Sequence, residues 1–216
     1  NKKNKILSLK NKITEIKEDI VIPKDLKIKI KSGETINITN NAFIFSNSHW
    51  EVGDEKGKVL ISGLKNNFGG GIVIKNTNQI SNFKNTEFKY LSGVENRFLK
   101  NKKLDEKKLV ITSYIDNKKN TYLYNAVPSK NLTYILPDKF NYSGAINFYK
   151  ANVSFENCTF LRIDSEDSLN IILSKFLITN STFKENSSDS VDIDFGFGEI
   201  KKTNFISIGN DAIDLS

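Results

Sequence analysis

The sequence predicts an all-β protein, specifically a right-handed parallel β-helix, which is a solenoid of stacked, extended coils. Two observations carry the prediction: an internal repeat of 22 or 23 residues, and alternation of apolar and polar residues within each repeat. The composition agrees, because a chain rich in Asn, Lys, Ile, Ser and Phe, with 3 Pro and no Met, favours strands over helices.

The repeat is clearest in residues 143–216. Alternation of the kind seen in Ile146-Asn-Phe148 and Val153-Ser-Phe155 is typical of half-buried strands. We therefore expect coils one repeat apart to stack, with their apolar side chains forming columns inside the solenoid. The predicted columns are Ile146, Leu169, Val191 and Ile213; Phe155, Ile178 and Ile200; and Phe160, Phe183 and Phe205.

Asparagines occupy equivalent positions shortly before the predicted inward phenylalanines. Asn157 and Asn180 precede Phe160 and Phe183, and Asn85 stands in a related segment that ends at Phe88. We expect these asparagines to point inward at the corners and to stack. Such a ladder would satisfy amide donors and acceptors that are otherwise costly to bury.

We expect a single domain in four parts. Residues 1–18 are predicted to form a capping helix, residues 19–91 the early coils, residues 92–142 an insertion, and residues 143–216 the regular coils. The helix is predicted because terminal coils need covering and because apolar residues come near helical spacing. These residues are Ile6, Leu7, Leu9, Ile13 and Ile16.

The insertion contains two segments, Leu109–Tyr114 and Thr121–Tyr124, that are predicted to be hairpin strands. Insertions in solenoids commonly project on the working face. Residues 97–130 carry many lysines, but a solvated surface explains them more simply than a nucleic-acid partner does. No apolar run approaches the roughly 18 residues needed to cross a bilayer, so we expect no membrane insertion.

Both ends of the chain and its cysteine carry expectations. The chain begins with Asn1 rather than Met, which suggests that any targeting peptide has been removed. Asp214–Ser216 looks like the start of another strand, so we expect the natural repeat array to continue. Cys158 is the only cysteine, which excludes an internal disulfide, and its neighbours predict a core position.

The strand pattern, the coil length and the Asn-x-x-Phe corners resemble the pectate-lyase-like superfamily of right-handed β-helices. That superfamily contains polysaccharide lyases, glycoside hydrolases, epimerases, phage tailspikes and adhesins. More narrowly, residues 188–195 and 209–214 resemble the β-helix repeats found beside spore-coat-kinase-like (CotH) modules in bacterial surface proteins. The resemblance implies an exported or cell-surface bacterial protein, and it brings no established activity.

The same two stretches are similar in placement to the catalytic carboxylates of polygalacturonases, whose counterparts here would be Asp189 and Asp211. Inverting hydrolysis needs one protonated carboxyl group and one carboxylate held about 6.5 to 9.5 Å apart. The chain departs from the family pattern, because Asn210 replaces an Asp and Ser187-Ser188 replaces Asn-Thr. A structural role, in which the Asp side chains bond nearby backbone amides at a turn, stands beside the catalytic one.

An acidic stripe is predicted on the outside of the last coils, because Asp192, Asp194 and Asp214 alternate with apolar residues. These three carboxyls could hold Ca²⁺, which prefers oxygen ligands, or form a solvated acidic face. They are also candidates for binding a substrate, together with Lys201 and Lys202.

A polysaccharide lyase would need a basic residue to neutralise a uronate and to act as base. Further candidates for that role are Lys150, Arg162 and Lys175, and His49 beside Trp50 could stack on a sugar or simply pack. The predicted function is an exported or surface β-helix that binds polysaccharide along one sheet face, with cleavage by a lyase or hydrolase mechanism left open. The alternative is a non-catalytic adhesin or structural spacer.

Overall fold

A computed structural model describes residues 5–93, 112–115, 121–124 and 142–216. Within these residues the protein is all-β and has no helix, and so none long and apolar enough to span a membrane. Three parallel sheets of seven strands each make up the fold. Each coil contributes one strand to each sheet, so seven coils stack as a parallel β-solenoid, which confirms the predicted architecture.

The strands follow one another around the solenoid from sheet A to sheet B to sheet C. Sheet A contains β1 (Lys5–Ser8), β4 (Leu26–Ile30), β7 (His49–Val52), β10 (Ser81–Lys84), β15 (Val153–Glu156), β18 (Lys175–Thr179) and β21 (Phe197–Lys201). Sheet B contains β2 (Ile13–Ile16), β5 (Thr35–Ile38), β8 (Val59–Ser62), β11 (Thr86–Lys89), β16 (Thr159–Leu161), β19 (Thr182–Lys184) and β22 (Asn204–Ile206). Sheet C contains β3 (Ile20–Ile22), β6 (Phe43–Ser46), β9 (Gly71–Lys75), β14 (Gly144–Tyr149), β17 (Asp167–Ile172), β20 (Asp189–Asp194) and β23 (Ile213–Leu215).

The predicted capping helix is wrong. Residues 5–16 instead supply β1 and β2, which pair in parallel with β4 and β5 and begin the first coil. A parallel sheet edge offers a row of unpaired backbone donors and acceptors, and a strand satisfies them where a helix would not. Ile16 is buried while Ile13 is exposed, as expected of a strand with one inward face.

The three predicted apolar columns are confirmed by the strand register. Ile146, Leu169, Val191 and Ile213 are successive partners in sheet C. Phe155, Ile178 and Ile200 are partners in sheet A, and Phe160, Phe183 and Phe205 are partners in sheet B. The rings of Phe160 and Phe183 stack with centroids 4.2 Å apart and planes 4° from parallel. Apolar contact between coils therefore runs through the interior of the solenoid.

The corner asparagines do not point inward as predicted. Asn157 and Asn180 are exposed, and they adopt the left-handed backbone conformation with φ of 54° and 51°. Asn85 has the same conformation, and its side-chain oxygen accepts a hydrogen bond from Asn157 Nδ2 at the surface. Asparagine is enriched at these corners because it tolerates positive φ better than most residues do.

Buried polar side chains at the corners join one coil to the next. The hydroxyl of Ser174 accepts the backbone N–H of Ala151 at 2.9 Å, and that of Ser181 accepts the backbone N–H of Cys158 at 3.1 Å. Each hydroxyl also donates to a backbone carbonyl two residues earlier in its own coil. These bonds satisfy backbone groups that the sheet ladders leave unpaired at the turns.

The insertion separates β11 and β14, the second and third strands of the fourth coil. Within it, β12 (Thr112–Ile115) and β13 (Thr121–Tyr124) pair in antiparallel fashion, which confirms the predicted hairpin pairing with the first strand shifted by a few residues. The remainder of the insertion and most of the lysine-rich segment lie outside the described residues.

Candidate functional site

The outer face of sheet C is divided into two zones. In the early coils it is apolar, and its side chains form a second hydrophobic cluster, outside the solenoid core, that includes Phe45, Val73, Tyr149 and Ile172. In the last coils it is acidic. We define the acidic face as the outward carboxyl groups of Asp192, Asp194 and Asp214 together with those of Asp167 and Asp189, which begin β17 and β20 and interact electrostatically with Asp192.

A column of polar residues runs along the solenoid from the apolar zone into the acidic one. Asn147, Asn170, Asp192 and Asp214 are successive register partners on β14, β17, β20 and β23. The exposure of these residues increases along the solenoid: the two asparagines are fully buried, Asp192 is half-buried and Asp214 is exposed. A ligand on this column would therefore contact the carboxyl groups of the last coils, whereas the amides of the earlier coils are covered.

Asp167 is the carboxyl group nearest the buried end of the acidic face. It is 3% exposed, its Oδ2 accepts a hydrogen bond from the hydroxyl of Ser143, and its register partner on the next coil is Asp189. Burial, followed by the charges of Asp192, Glu166 and Asp189, raises the pKa of Asp167 to about 7. Asp167 therefore exchanges its proton near neutral pH.

Asn170 connects Asp167 to Asp192. Its Nδ2 donates to Asp192 Oδ2 at 2.5 Å and, more weakly, to Asp167 Oδ2 at 3.5 Å. Burial and the charges of Asp194 and Asp214 raise the pKa of Asp192 to about 6, against the lowering effect of the Asn170 bond. Asn170 therefore joins two carboxyl groups whose pKa values are both raised.

Two acceptor atoms in this group lack donors. Asn170 Oδ1 and Asp192 Oδ1 are both buried, and neither accepts a hydrogen bond from the described part of the chain. An unsatisfied buried polar group typically costs about 1 to 3 kcal/mol. Such a cost at a cluster of carboxyl groups is typical of a place where a ligand or a proton supplies the missing donor.

Of the predicted catalytic pair, Asp189 has a structural partner. It is 8% exposed, and its Oδ1 accepts the backbone N–H of Asp211 at 2.7 Å, which fixes the segment before β23 against β20. Asp211 itself is exposed, and its carbonyl accepts the backbone N–H of Ser190. The geometry thus provides the structural role that the sequence left open, and the catalytic role of this pair stays a prediction.

The three predicted calcium ligands share one face, as expected. Asp192 and Asp214 are register partners on adjacent strands, and Asp194 lies two residues beyond Asp192 on β20. Even so, the described residues contain no group of three or more His, Cys, Asp or Glu side chains arranged to hold a metal ion. The calcium site therefore stays a prediction that this geometry does not support.

The predicted basic partners lie elsewhere on the solenoid. Lys201 ends β21 in sheet A, where its Nζ pairs with Glu199 at 2.5 Å, and Lys202 turns the following corner with φ of 50°. The structure does not bring these lysines to the acidic face. Arg162, a candidate base for a lyase, occupies a corner and pairs with Glu185 at 2.6 Å. Lys175 begins β18 in sheet A, whereas Lys150 follows β14 and its Nζ lies 4.9 Å from the centre of the Tyr149 ring, in the apolar zone of sheet C.

Trp50 and Cys158 belong to the core. The Trp50 side chain is 1% exposed and donates its Nε1–H to the hydroxyl of Ser46 at 3.0 Å, so it is unavailable for stacking on a sugar. His49 is partly exposed on sheet A, and burial lowers its pKa. The predicted core position of Cys158 is confirmed, since it is free and buried.

Sequence analysis missed four residues of this region. Asp167 occupies the same repeat position as Asp189, so extending the repeat alignment by one residue would have found it. Asn170 aligns in the same way with Asp192. Phe195 and Phe197 are 73% and 78% exposed at the end of β20 and the start of β21, and the same repeat alignment pairs Phe197 with Lys175 rather than with a core residue. Phe195 also has a positive φ of 51°, which is strained for an aromatic residue.

Comparisons with known proteins found no matching protein-family model, no matching curated protein and no matching solved structure. The established statement about this chain is therefore architectural: it is a parallel β-solenoid whose third sheet carries an acidic outer face.

Proposed function

We propose that this protein is an exported or cell-surface β-solenoid, of the pectate-lyase-like kind, that binds polysaccharide along the outer face of sheet C. The observation that carries the proposal is the acidic face, where Asp192 has a raised pKa and an unsatisfied buried oxygen next to more exposed carboxyl groups. Perturbed titratable groups of this kind cluster at functional sites.

Exposed aromatic residues beside the acidic face support a sugar ligand. Phe195 follows Asp194 directly in the chain, and Phe197 begins the next strand. Large exposed apolar side chains next to convergent polar groups are typical of ligand-binding surfaces. The positive φ of Phe195 adds a local cost, as is common at functional positions.

The acidic face also contains a pair suited to hydrolysis. Asp192 and Asp194 lie on the same face of one strand, so their positions are about 6.6 Å apart along it. Inverting glycosidases hold their two carboxyl groups roughly 6.5 to 9.5 Å apart, which side chains on a backbone spacing of this order can reach, and the raised pKa of Asp192 suits the acid. The alternative, a non-catalytic adhesin or spacer, is favoured by the backbone bond that occupies Asp189.

Binding is tested with a panel of neutral, uronate-containing and amino-sugar polysaccharides, measured by calorimetry. We expect Asp192→Asn and Phe195→Asn each to weaken binding by about tenfold. Asparagine is chosen because it suits the local backbone at both positions. The matched control is Lys201→Gln on sheet A, which should bind as the wild type does. Equal loss in the control, or no binding to any polysaccharide, would contradict the proposal.

Cleavage is tested on the same panel by following reducing ends and unsaturated uronates over a long incubation. If the protein is a hydrolase that uses the acidic face, Asp192→Asn abolishes product formation while the melting temperature is retained. Asp189→Asn and Asp211→Asn test the pair predicted from sequence, and unchanged turnover in both would remove them from the mechanism. Binding without any product assigns the protein to the non-catalytic class.

A further inference from the structure

The loops that join sheet A to sheet B differ in length along the solenoid. In the fifth and sixth coils this corner takes two residues, 157–158 and 180–181. In the second coil the loop has four residues, 31–34, and in the third coil it has six, 53–58. Because two residues are enough to turn the corner, the longer loops contain residues that the coil itself does not need.

The two long loops, together with the end of β4, line a cavity of about 450 Å³ at this corner. Pockets that hold small ligands are typically about 300 to 1,000 Å³ in volume. The cavity lies between sheets A and B, whereas the acidic face belongs to sheet C. It is therefore a separate candidate for ligand binding.

Gly57 keeps this cavity open. Its φ is not positive, and a Cβ at this position would meet no atom nearer than the Ser32 Cβ at 3.7 Å. For every other glycine of the chain, a positive φ or an atom closer than 3.0 Å to such a Cβ accounts for the missing side chain. Glycine where a side chain would fit costs unfolded-state entropy, so its retention needs another reason. The space that Gly57 leaves in the cavity supplies one.

The lining of the cavity is positively charged. It carries three lysines, Lys29, Lys31 and Lys56, and one acid, Asp54. Within the described part of the chain, none of these lysines forms an ion pair. The lining therefore has an excess of two positive charges, with three ammonium groups available to a ligand.

The acids of both loops are engaged by the loops themselves. Asp54 Oδ1 accepts the Ser32 hydroxyl at 2.5 Å and the backbone N–H of Lys56 at 2.7 Å. Glu34 accepts the backbone N–H of Lys31 at 2.7 Å. The bond between Asp54 and Ser32 also joins the third coil to the second. These bonds fix the backbone that carries the lysines and so reduce the ordering cost of binding.

Charge and residue type together restrict the ligand. An excess of two positive charges matches a dianion, and lysine is a common partner of phosphate because its ammonium group acts as a compact point charge. A carboxylate carries one charge and is matched best by the planar fork of arginine. No arginine is present among the described residues that line the cavity.

We infer that the cavity between the two long loops binds a doubly charged oxyanion group, the chemistry shared by phosphate and sulfate, through Lys29, Lys31 and Lys56. The inference goes beyond the proposed function and does not rest on it, because the two sites lie on different parts of the solenoid. The oxyanion is either a free ion or an ester on a larger molecule.

Binding is tested by NMR titration of isotopically labelled protein with sodium phosphate and sodium sulfate at about pH 8, where both ions carry about two charges. Sodium chloride keeps the ionic strength constant, so that screening does not change. We expect saturable shifts of the Gly33 and Gly57 amide signals. Shifts that do not saturate, or that are as large across the rest of the surface, would overturn the inference.

Lysine variants test the residues. Lys31→Gln and Lys56→Gln should each weaken phosphate binding by about tenfold, because each removes a charge-assisted hydrogen bond. The matched control is Lys58→Gln, which removes the same charge from the same loop. Lys58 does not line the cavity and pairs with Glu87 at 3.7 Å. Equal losses in Lys56→Gln and Lys58→Gln would mean that the ions respond to general surface charge, which would overturn the inference.

Filling the cavity tests its role directly. Gly57→Leu should abolish phosphate binding and keep the wild-type melting temperature, because the backbone there accepts a side chain and the added atoms enter open space. Unchanged phosphate binding in this variant would contradict the inference. If Gly57→Leu nevertheless unfolds, the lysine variants decide the outcome.

A comparison of inorganic phosphate with glucose-6-phosphate identifies the source of the oxyanion, with glucose as the neutral control. Tighter binding of the sugar phosphate would support the inference and assign the site to an ester, and equal affinity would support it and assign the site to the free ion. Nitrate, which carries one charge, should bind at least about tenfold more weakly than phosphate. Equal binding of nitrate would overturn the match to a dianion.

Discussion

Asp167 shows how a single buried residue couples the acidic face to pH. Burial and neighbouring acids raise its pKa to about 7, whereas the same carboxyl in an unfolded chain titrates near 3.8. Between those values the folded protein holds a proton that the unfolded chain has released. The free energy of unfolding therefore falls as the pH rises through this window, and the loss is complete above about pH 7.

The change Asp167→Asn should remove this pH-dependent cost. We expect it to raise the free energy of unfolding by about 3 kcal/mol at about pH 8, after allowance for solvent screening, and by much less at about pH 4. Asparagine retains an oxygen that can accept the Ser143 hydroxyl bond. Urea denaturation at both pH values measures the effect, with the exposed Asp164→Asn of the same coil as control. A gain of equal size at both pH values would show that burial does not perturb Asp167.

At the scale of elements, the sheet B strands are held together by a column of parallel rings. Phe183 stacks between Phe160 and Phe205, whose centroids lie 4.2 Å and 5.2 Å away, and its ring is fully buried. Because each of these strands has only three residues, the ring column contributes much of the contact between adjacent coils. Phe205 has a ring neighbour on one side only among the described residues and is half-buried.

Truncation of the two rings should therefore have unequal effects. Phe183→Ala is expected to lower the free energy of unfolding by about 3 to 5 kcal/mol, through lost burial and an unfilled cavity between coils. Phe205→Ala should cost about half as much, because less of its surface is buried. Chemical denaturation of both variants makes the comparison, and equal losses would contradict the idea that the interior stack carries coil-to-coil stability.

At the scale of the whole molecule, a solenoid is stabilised by contacts between neighbouring coils, so its middle is protected on both sides. Cys158 reports on this interior. It lies in the fifth coil with 1% exposure, and its thiol contacts the carbonyl oxygens of Phe83 and Glu156. Burial raises the pKa of Cys158 to about 12, which leaves very little reactive thiolate at ordinary pH.

Native protein should consequently resist thiol reagents, and Cys158 should become reactive only as the central coils unfold. Labelling across a urea gradient, compared with the loss of strand signal in circular dichroism, tests this. Asn210→Cys, which places a thiol at an exposed position of the last described coil, should react at once in the native state. Rapid, complete labelling of Cys158 without denaturant would mean that the middle of the solenoid opens readily.

Most of the architecture followed from the sequence because it is encoded locally and repeated. The residue steps that align Phe160, Phe183 and Phe205 equal one turn of the solenoid, so periodic spacing translates directly into stacking. The helix predicted for residues 1–18 failed where this information is weakest. The few apolar residues there fit the spacing of a helix as well as that of a strand. Pairing with the neighbouring strands β4 and β5 makes this segment extended.

The candidate site was predicted only in part. Sequence alternation correctly placed Asp192 and Asp214 together on an outer face, but it could not reveal that Asn170 and Asp167 are buried beside them. Whether a residue on an outer face is buried depends on groups that are distant in the chain. Asn147 is an example from the same column, because its side-chain amide donates a hydrogen bond to the carbonyl oxygen of Ile72. Within the strands of the regular coils, sequence by itself determined which side chains face the core and which face away. Tertiary structure decided which outward polar groups lose water, because desolvation depends on every atom packed around a group rather than on its own position in the repeat.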